Sequence, residues 1–285
     1  MIIEPLLGTR AEVVLTATEP EIARSGEASV VAGVRRLETI FSRFDEASAL
    51  RSYRTTGTSV VPELLEVIDL ADDWQRRTNG AFHPRAQPLV DLWDRAEVRG
   101  TPPSVNELQQ AVEAMDSVPI TATLDLNAIA KGWIADEALT SALKAVPGAS
   151  AGWINLGGDI VHRGMSSLTV GIENPSRPYD NVGPLATVEV SNEAMATSGG
   201  AQRWWTIAGI RYPKVIDPRS GVPGEQMASA TVVAGDGATA DVLATVAVIL
   251  DAEQTLALTA AVGASCFLVH RDGSITSSSD RFRPS

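Results

Sequence analysis

The run TVVAGDGATADVLATVAVIL, residues 231–250, admits two readings that lead to different folds. As an apolar strand turning through Gly235-Asp236-Gly237-Ala238-Thr239-Ala240 into a helix, it matches the weak G-x-G-x-x-A form of a dinucleotide-binding unit, which would make the sheet parallel. Such a unit needs a second strand with an acidic end about 20 residues further on. Residues 252–262, AEQTLALTAAV, read as more helix instead, which disfavours that unit. The same run offers a different chemistry. Asp241 and Thr245 are four apart at the start of the helix, so their oxygens share one face. A carboxylate and a hydroxyl placed so can ligate Mg²⁺ and leave positions for water and phosphate oxygens. The competing reading needs no ligand: an Asp favoured by the helix dipole and a Thr packed against its own turn.

Around this run lie short β-rich runs separated by turn residues: GWINL (152–156), LTVGIEN (168–174), LATVEVS (185–191), RWWTIAG (203–209) and ASATVVA (228–234). That pattern favours a largely antiparallel sheet, with two more strands near 265–270 and 273–277 after a helical pair at about 238–262. Upstream, AEVVLTA (11–17) reads as a first strand, and helices are expected over 27–44 and from Pro62 to about residue 78. A further helix is expected over 105–115, where Ser104 and Glu107 form a capping-box pair. Residues 79–103 read as irregular; from 120 a strand and then a helix over about 129–145 are expected. The fold class is α+β, sheet elements flanked by helices, expected as one domain over residues 1–285.

Of the 285 residues, 44% are hydrophobic and 20% charged, which are globular values. The net charge of −12 argues against a general grip on nucleic-acid phosphates or anionic lipid, so an anionic ligand needs a local site. Cys266 is the lone cysteine; it reads as a buried, inert thiol. The N-terminal MIIEPLLGTRAEVVL lacks the features of a secretory signal, and no apolar run reaches the roughly 20 residues of a membrane span. The expectation is a soluble, cytoplasmic protein.

LDLNAIAKGWIADEAL (124–139) sets Asp125 and Lys131 among small and apolar residues at an expected strand-to-helix passage. A Lys near a helix N-terminus can hold a phosphate, and an Asp there can accept from ribose or ring groups; equally, the two could satisfy each other as an internal ion pair. INLGGDI (154–160) and ATSGG (196–200) supply small residues for close backbone approach or tight turns, and Asp217 in VIDPRSGVP (215–223) is a turn former. His83, His162 and His270 show no metal-ligand spacing.

In chain order, LLGTRAEVVL (6–15), FSRFDEASAL (41–50), NGAFHPRAQPLVDLW (79–93), LDLNAIAKGWIADEAL, INLGGDI, ATSGG, VIDPRSGVP and ADVLATVAVIL (240–250) resemble the FAD:protein FMN transferase (ApbE) family over nearly the whole chain. Such enzymes cleave FAD with Mg²⁺, transfer FMN to a Thr or Ser hydroxyl of a flavoprotein and release AMP. The resemblance implies that Leu7, Phe44, Ala81, Phe82, His83, Asp125, Lys131 and Val215 contact FAD, and that Asp241, Thr245 and the backbone oxygen of Ala128 ligate Mg²⁺. Three positions depart from the family pattern: His83 replaces an Asp, Arg54 an Asn, and Lys214 a His that is a candidate general base in the family. With an unperturbed pKa near 10.4, a lysine is a poor base at neutral pH. A flavin-binding protein of the same fold without transfer, or an FAD pyrophosphatase giving FMN and AMP, are the alternatives those departures suggest.

Overall fold

Capping and apolar spacing place the helices, and alternation places the strands. The computed structural model describes residues 1–117, 120–177, 183–199 and 204–285; Gly200 of ATSGG and Arg203 of RWWTIAG lie outside the described residues. The first half contains β1 (Ile2–Leu6), β2 (Thr9–Ala17), α1 (Pro20–Phe41), α2 (Ala49–Thr56), α3 (Pro62–Arg77), α4 (Gln87–Arg99), α5 (Val105–Met115), a 3-10 turn (Ile120–Thr123) and α6 (Asn127–Ala145). The second contains β3 (Ala149–Leu156), β4 (Asp159–Gly164), β5 (Leu168–Ile172), β6 (Ala186–Val190), β7 (Ala194–Gly199), β8 (Trp204–Ile207) and β9 (Ile210–Pro213). It ends with β10 (Met227–Ala234), α7 (Gly237–Ala247), α8 (Ala252–Ala261), β11 (Ser265–His270), β12 (Ile275–Ser277) and β13 (Arg283–Pro284).

The main sheet runs β1-β2-β3-β4-β7-β10-β11-β12, and its paired strands are antiparallel throughout. This excludes the parallel dinucleotide unit. The glycines of the 235–240 turn serve packing: a Cβ on Gly132 would collide with the Gly237 carbonyl, and one on Gly237 with that of Gly132. α6 and α7 therefore cross in backbone contact. α6 packs against α1 and lies over β3 and β4, while α7 covers β7 and β10. The far face of the sheet is closed by β13-β6-β5, which buries Ile172, Val188 and Val190 against Met195, Val233 and Phe267. A third cluster joins α4 and α5 to the β8-β9 hairpin through Leu89, Trp93, Met115 and Trp205. Each large side chain so buried contributes about 1.5–3 kcal/mol.

Several expectations need correction. Residues 79–103 are not irregular: Leu89, Leu92, Trp93 and Ala96 bury one face of α4, Pro88 sits in its first turn and Gly100, at φ 72°, stops it. The Pro and Gly that suggested a loop are the helix's start and stop signals. The segment before α6 is no strand; it is the 3-10 turn followed by a short irregular link. α1 begins seven residues earlier than expected, at Pro20, and ends at Phe41 rather than 44. β1, β4, β7, β9, β13 and α2 are additional elements. The Ser104–Glu107 capping box forms as expected, and Cys266 is buried. No helix among the described residues is long and apolar enough to cross a membrane.

Candidate active site

The start of α6 is irregular, which frees polar groups for other partners. Leu126 supplies no side-chain cap, and Ala128 breaks the helix with φ −92° and ψ 17°. Asp125 caps the turn instead: its Oδ1 accepts from the Asn127 N–H at 3.0 Å, and its own N–H donates to the Pro84 carbonyl at 2.6 Å. Burial pushes the Asp125 carboxyl above the usual range, opposed by the nearby charges of Arg43 and Arg54. Arg54 donates from Nε and a terminal nitrogen to the Ala122 carbonyl, at 3.1 and 3.0 Å, bracing α2 against this turn.

Lys131 pairs with Asp159, so the Asp125–Lys131 ion pair weighed from sequence does not form. Asp159 opens β4 directly after the Gly157-Gly158 turn, whose φ angles of 64° and 103° require glycine. Gly158 N–H donates to Asn155 Oδ1 at 2.9 Å and Gly157 N–H to the Arg10 carbonyl at 3.1 Å, which fixes the turn and the carboxylate behind it.

Asp241 is buried on α7, where its Oδ2 accepts one long hydrogen bond, 3.3 Å, from the Gly132 N–H of α6. Burial, with the charge of Asp159 second, pushes its carboxyl up to about 7; Lys131 and the Gly132 N–H oppose the shift. Asp241 is not a helix-dipole residue, because Asp236 caps α7 by accepting from Thr239 N–H at 2.8 Å. Thr245 reaches off its own helix to within 3.4 Å of Ser198 Oγ on β7. Behind the cluster, Arg163 of β4 pairs with Asp136 of α6 and donates to the Gly235 carbonyl, and the Asp136 carboxylate accepts the Gly237 N–H at 3.0 Å. The α7 N-terminus is thereby filled from within the protein.

Four elements, α6, β4, α7 and β7, thus bring Lys131, Gly132, Asp159, Asp241, Thr245 and Ser198 together, with Ala128 one turn before Gly132. The Asp241 carboxylate, the Thr245 hydroxyl and the carbonyl at the Ala128 kink are hard oxygen donors of the kind Mg²⁺ takes. Among the described residues, the Asp159 and Asp241 carboxylates both act on the Lys131 ammonium. Among the described residues no group of three or more His, Cys, Asp or Glu side chains is arranged to hold a metal, and this donor set is of a different kind. Sequence reasoning passed over Asp159, Gly132 and Ser198. The one available signal was a charged residue following Gly-Gly inside an apolar run.

The remaining predicted contacts are spread around the α6 start and the neighbouring loops. Leu7, at φ 50°, forms the β1-β2 turn and packs half-buried on the main core, as does Val215. Phe44 is 81% exposed with the Arg43 guanidinium 4.8 Å from its ring centre. The Ala81 and Phe82 side chains are in the core, which leaves only their backbone to meet a ligand. His83 Nδ1 accepts the Arg85 N–H at 3.2 Å, as an Asp in that position would, and burial holds the imidazole below its usual pKa. That bond occupies the basic nitrogen. Lys214 lies 3.7 Å from Asp94, which also accepts from Trp205 Nε1 at 2.7 Å, and 5.1 Å over the Trp205 ring. Both contacts suit an ammonium. A depression of about 460 Å³ lined by Asp72, Gln75 and Gly80 lies beside the His83 segment, away from Asp241.

A sequence model described as the ApbE family matches residues 7–268. The FAD:protein FMN transferase of Treponema pallidum is 28% identical over 76% of this chain and 68% of its own length. That of Vibrio cholerae is 27% identical over 87% and 78%. In three dimensions the ApbE protein of Thermotoga maritima aligns with a TM-score of 0.84 at 24% identity, covering 98% of this chain and 96% of that one. The flavin transferase ApbE of Vibrio cholerae aligns at 0.78 and 23%, covering 99% and 97%. At those identities the structural likeness concerns the fold. The extent of the family match decides the matter: this chain belongs to the ApbE family.

Proposed function

We propose that the protein is an Mg²⁺-dependent FAD:protein FMN transferase, acting on a Thr or Ser hydroxyl of an acceptor flavoprotein and releasing AMP. The observation that carries this reading is the buried Asp241 carboxylate, with a single long hydrogen bond, set beside the Lys131–Asp159 pair. In the reaction the acceptor hydroxyl gives up its proton to solvent and its oxygen bonds to the FMN phosphorus, the bond from that phosphorus to the bridging oxygen breaks, and AMP leaves with the electron pair. Asp241, Thr245 and the Ala128 carbonyl would hold Mg²⁺, which supplies Lewis-acid charge to the diphosphate when bound. Lys131 contributes a second positive charge to the same oxygens, and most of the acceleration is positioning and electrostatics. Asp125 and Phe44 border the flavin side.

A second reading, hydrolysis of FAD to FMN and AMP or flavin binding without transfer, is favoured by Lys214, whose ammonium is engaged by Asp94 and Trp205 where the family places its candidate base. One experiment separates them. Purified protein is incubated with FAD and Mg²⁺, with and without a flavoprotein acceptor, and AMP and protein-bound FMN are measured for wild type and Asp241→Asn. Acceptor-dependent AMP release that Asp241→Asn abolishes is expected. AMP without an acceptor supports hydrolysis, and no AMP under either condition overturns the proposal.

A further inference from the structure

Asp159 has been given no role of its own so far, yet it is buried and held at the start of β4. Its side chain is 6% exposed, against 30% for Lys131. The Gly157-Gly158 turn and the β3-β4 ladder, where Asp159 pairs with Leu156, leave it little freedom. Lys131 sits on the first turns of α6, whose backbone is kinked at Ala128, and its flexible stem can reach more than one acceptor. Lys131 also favours the charge of Asp241. An ammonium bound to Asp241 would occupy the oxygens that a cation needs.

Resting on the flavin-nucleotide reading above, we infer that Asp159 is a positioning residue: its carboxylate fixes the Lys131 ammonium toward the diphosphate of the bound dinucleotide and keeps it off Asp241. A buried carboxylate on a rigid turn holds the lysine from behind, and the exposed side of the ammonium faces the ligand. Asp241 then stays available to the cation.

The test measures FAD and FMN affinity by flavin fluorescence with EDTA present, then the Mg²⁺ concentration that half-restores FAD cleavage, for wild type, Asp159→Asn and Asp159→Glu. Asp159→Asn is expected to weaken FAD binding about tenfold, the scale of a charge-assisted hydrogen bond, while changing FMN binding less than about twofold. Its Mg²⁺ requirement rises, and Asp159→Glu recovers part of both losses. Unchanged FAD affinity, or equal loss for both flavins, overturns the inference. Should Asp159→Asn fail to fold, Lys131→Gln is compared with Lys131→Gln/Asp159→Asn, in which the Asp159 charge is removed together with its partner's. Equal FAD affinity in those two supports action through Lys131, and a further loss in the double variant refutes it. Wild type that binds FAD no better than FMN overturns the flavin-nucleotide reading and the inference with it; a wild-type preference for FAD that Asp159→Asn keeps overturns the inference alone.

Discussion

His162 shows how a single buried group ties this fold to pH. It is 1% exposed on β4, Nδ1 accepts the Asn192 N–H at 3.0 Å, and Nε2 lies 2.9 Å from Ser166 Oγ. Burial, with Arg163 second, holds its pKa below the ordinary value. The unfolded chain takes up a proton near pH 6.5 while the folded chain does not, so the folded state loses ground as pH falls below about 6.5 toward the depressed folded value. Above that range the stability is fully present. Gln at this position can keep both hydrogen bonds without titrating. Urea unfolding at pH 8, 6.5 and 5 is therefore expected to show wild type losing more stability than His162→Gln across the acid step, and parallel losses would refute the argument. Lys214 illustrates the opposite case, a residue whose role changes with its neighbours. With Asp94 and Trp205 on either side it fastens the β8-β9 hairpin to α4, a job that requires its charge.

Among elements, the crossing of α6 and α7 decides whether the site exists. Gly132 donates its N–H to Asp241 and packs its Cα face on the Gly237 backbone, so one residue sets both the interhelical distance and the metal-side geometry. Gly132→Ala drives a methyl into a backbone carbonyl that cannot turn aside. The expected cost is about 1–3 kcal/mol or more, with FAD affinity lost at temperatures where circular dichroism still reports a folded protein. A variant that melts and binds like wild type would mean the helices slide apart without penalty. The same crossing explains what sequence alone could and could not convey. Asp241 and Thr245 were readable because their spacing is local to one helix, and the Ser104–Glu107 box because capping is local too. Asp159 and Gly132 were not, since their meaning arises from β4, α6 and α7 meeting at separations of 28 and 109 residues. α4 was missed for a different reason: Pro88 and Gly100 punctuate a helix only once the buried face of Leu89, Leu92 and Trp93 is weighed above them. Whether Asp125 and Lys131 pair with each other was left open by the sequence, because the partner Lys131 takes, Asp159, lies 28 residues away on β4.

At the scale of the whole molecule, α6 brings Lys131 and the Gly132 N–H beside the Asp159 and Asp241 carboxylates, on a chain whose net charge is −12. The dinucleotide it is proposed to bind is itself anionic, so the long-range field repels the ligand and attraction begins only within contact of groups such as Lys131. Screening acts on these two terms unequally. At physiological ionic strength the Debye length is about 8 Å, which removes most of the distant repulsion but leaves a half-buried pair at a few ångströms largely intact. Association should therefore quicken with salt while dissociation changes little. Stopped-flow binding of FAD with EDTA present, between 0.02 and 0.3 M NaCl, is expected to show the association rate constant rising by about twofold and the dissociation rate constant staying within about that factor. A tenfold fall in association over the same range would show that a local positive field extends beyond the cleft and steers the ligand in. The surface around Arg54, whose charge feels Arg43, Arg51 and Asp125, would then be the place to neutralise first.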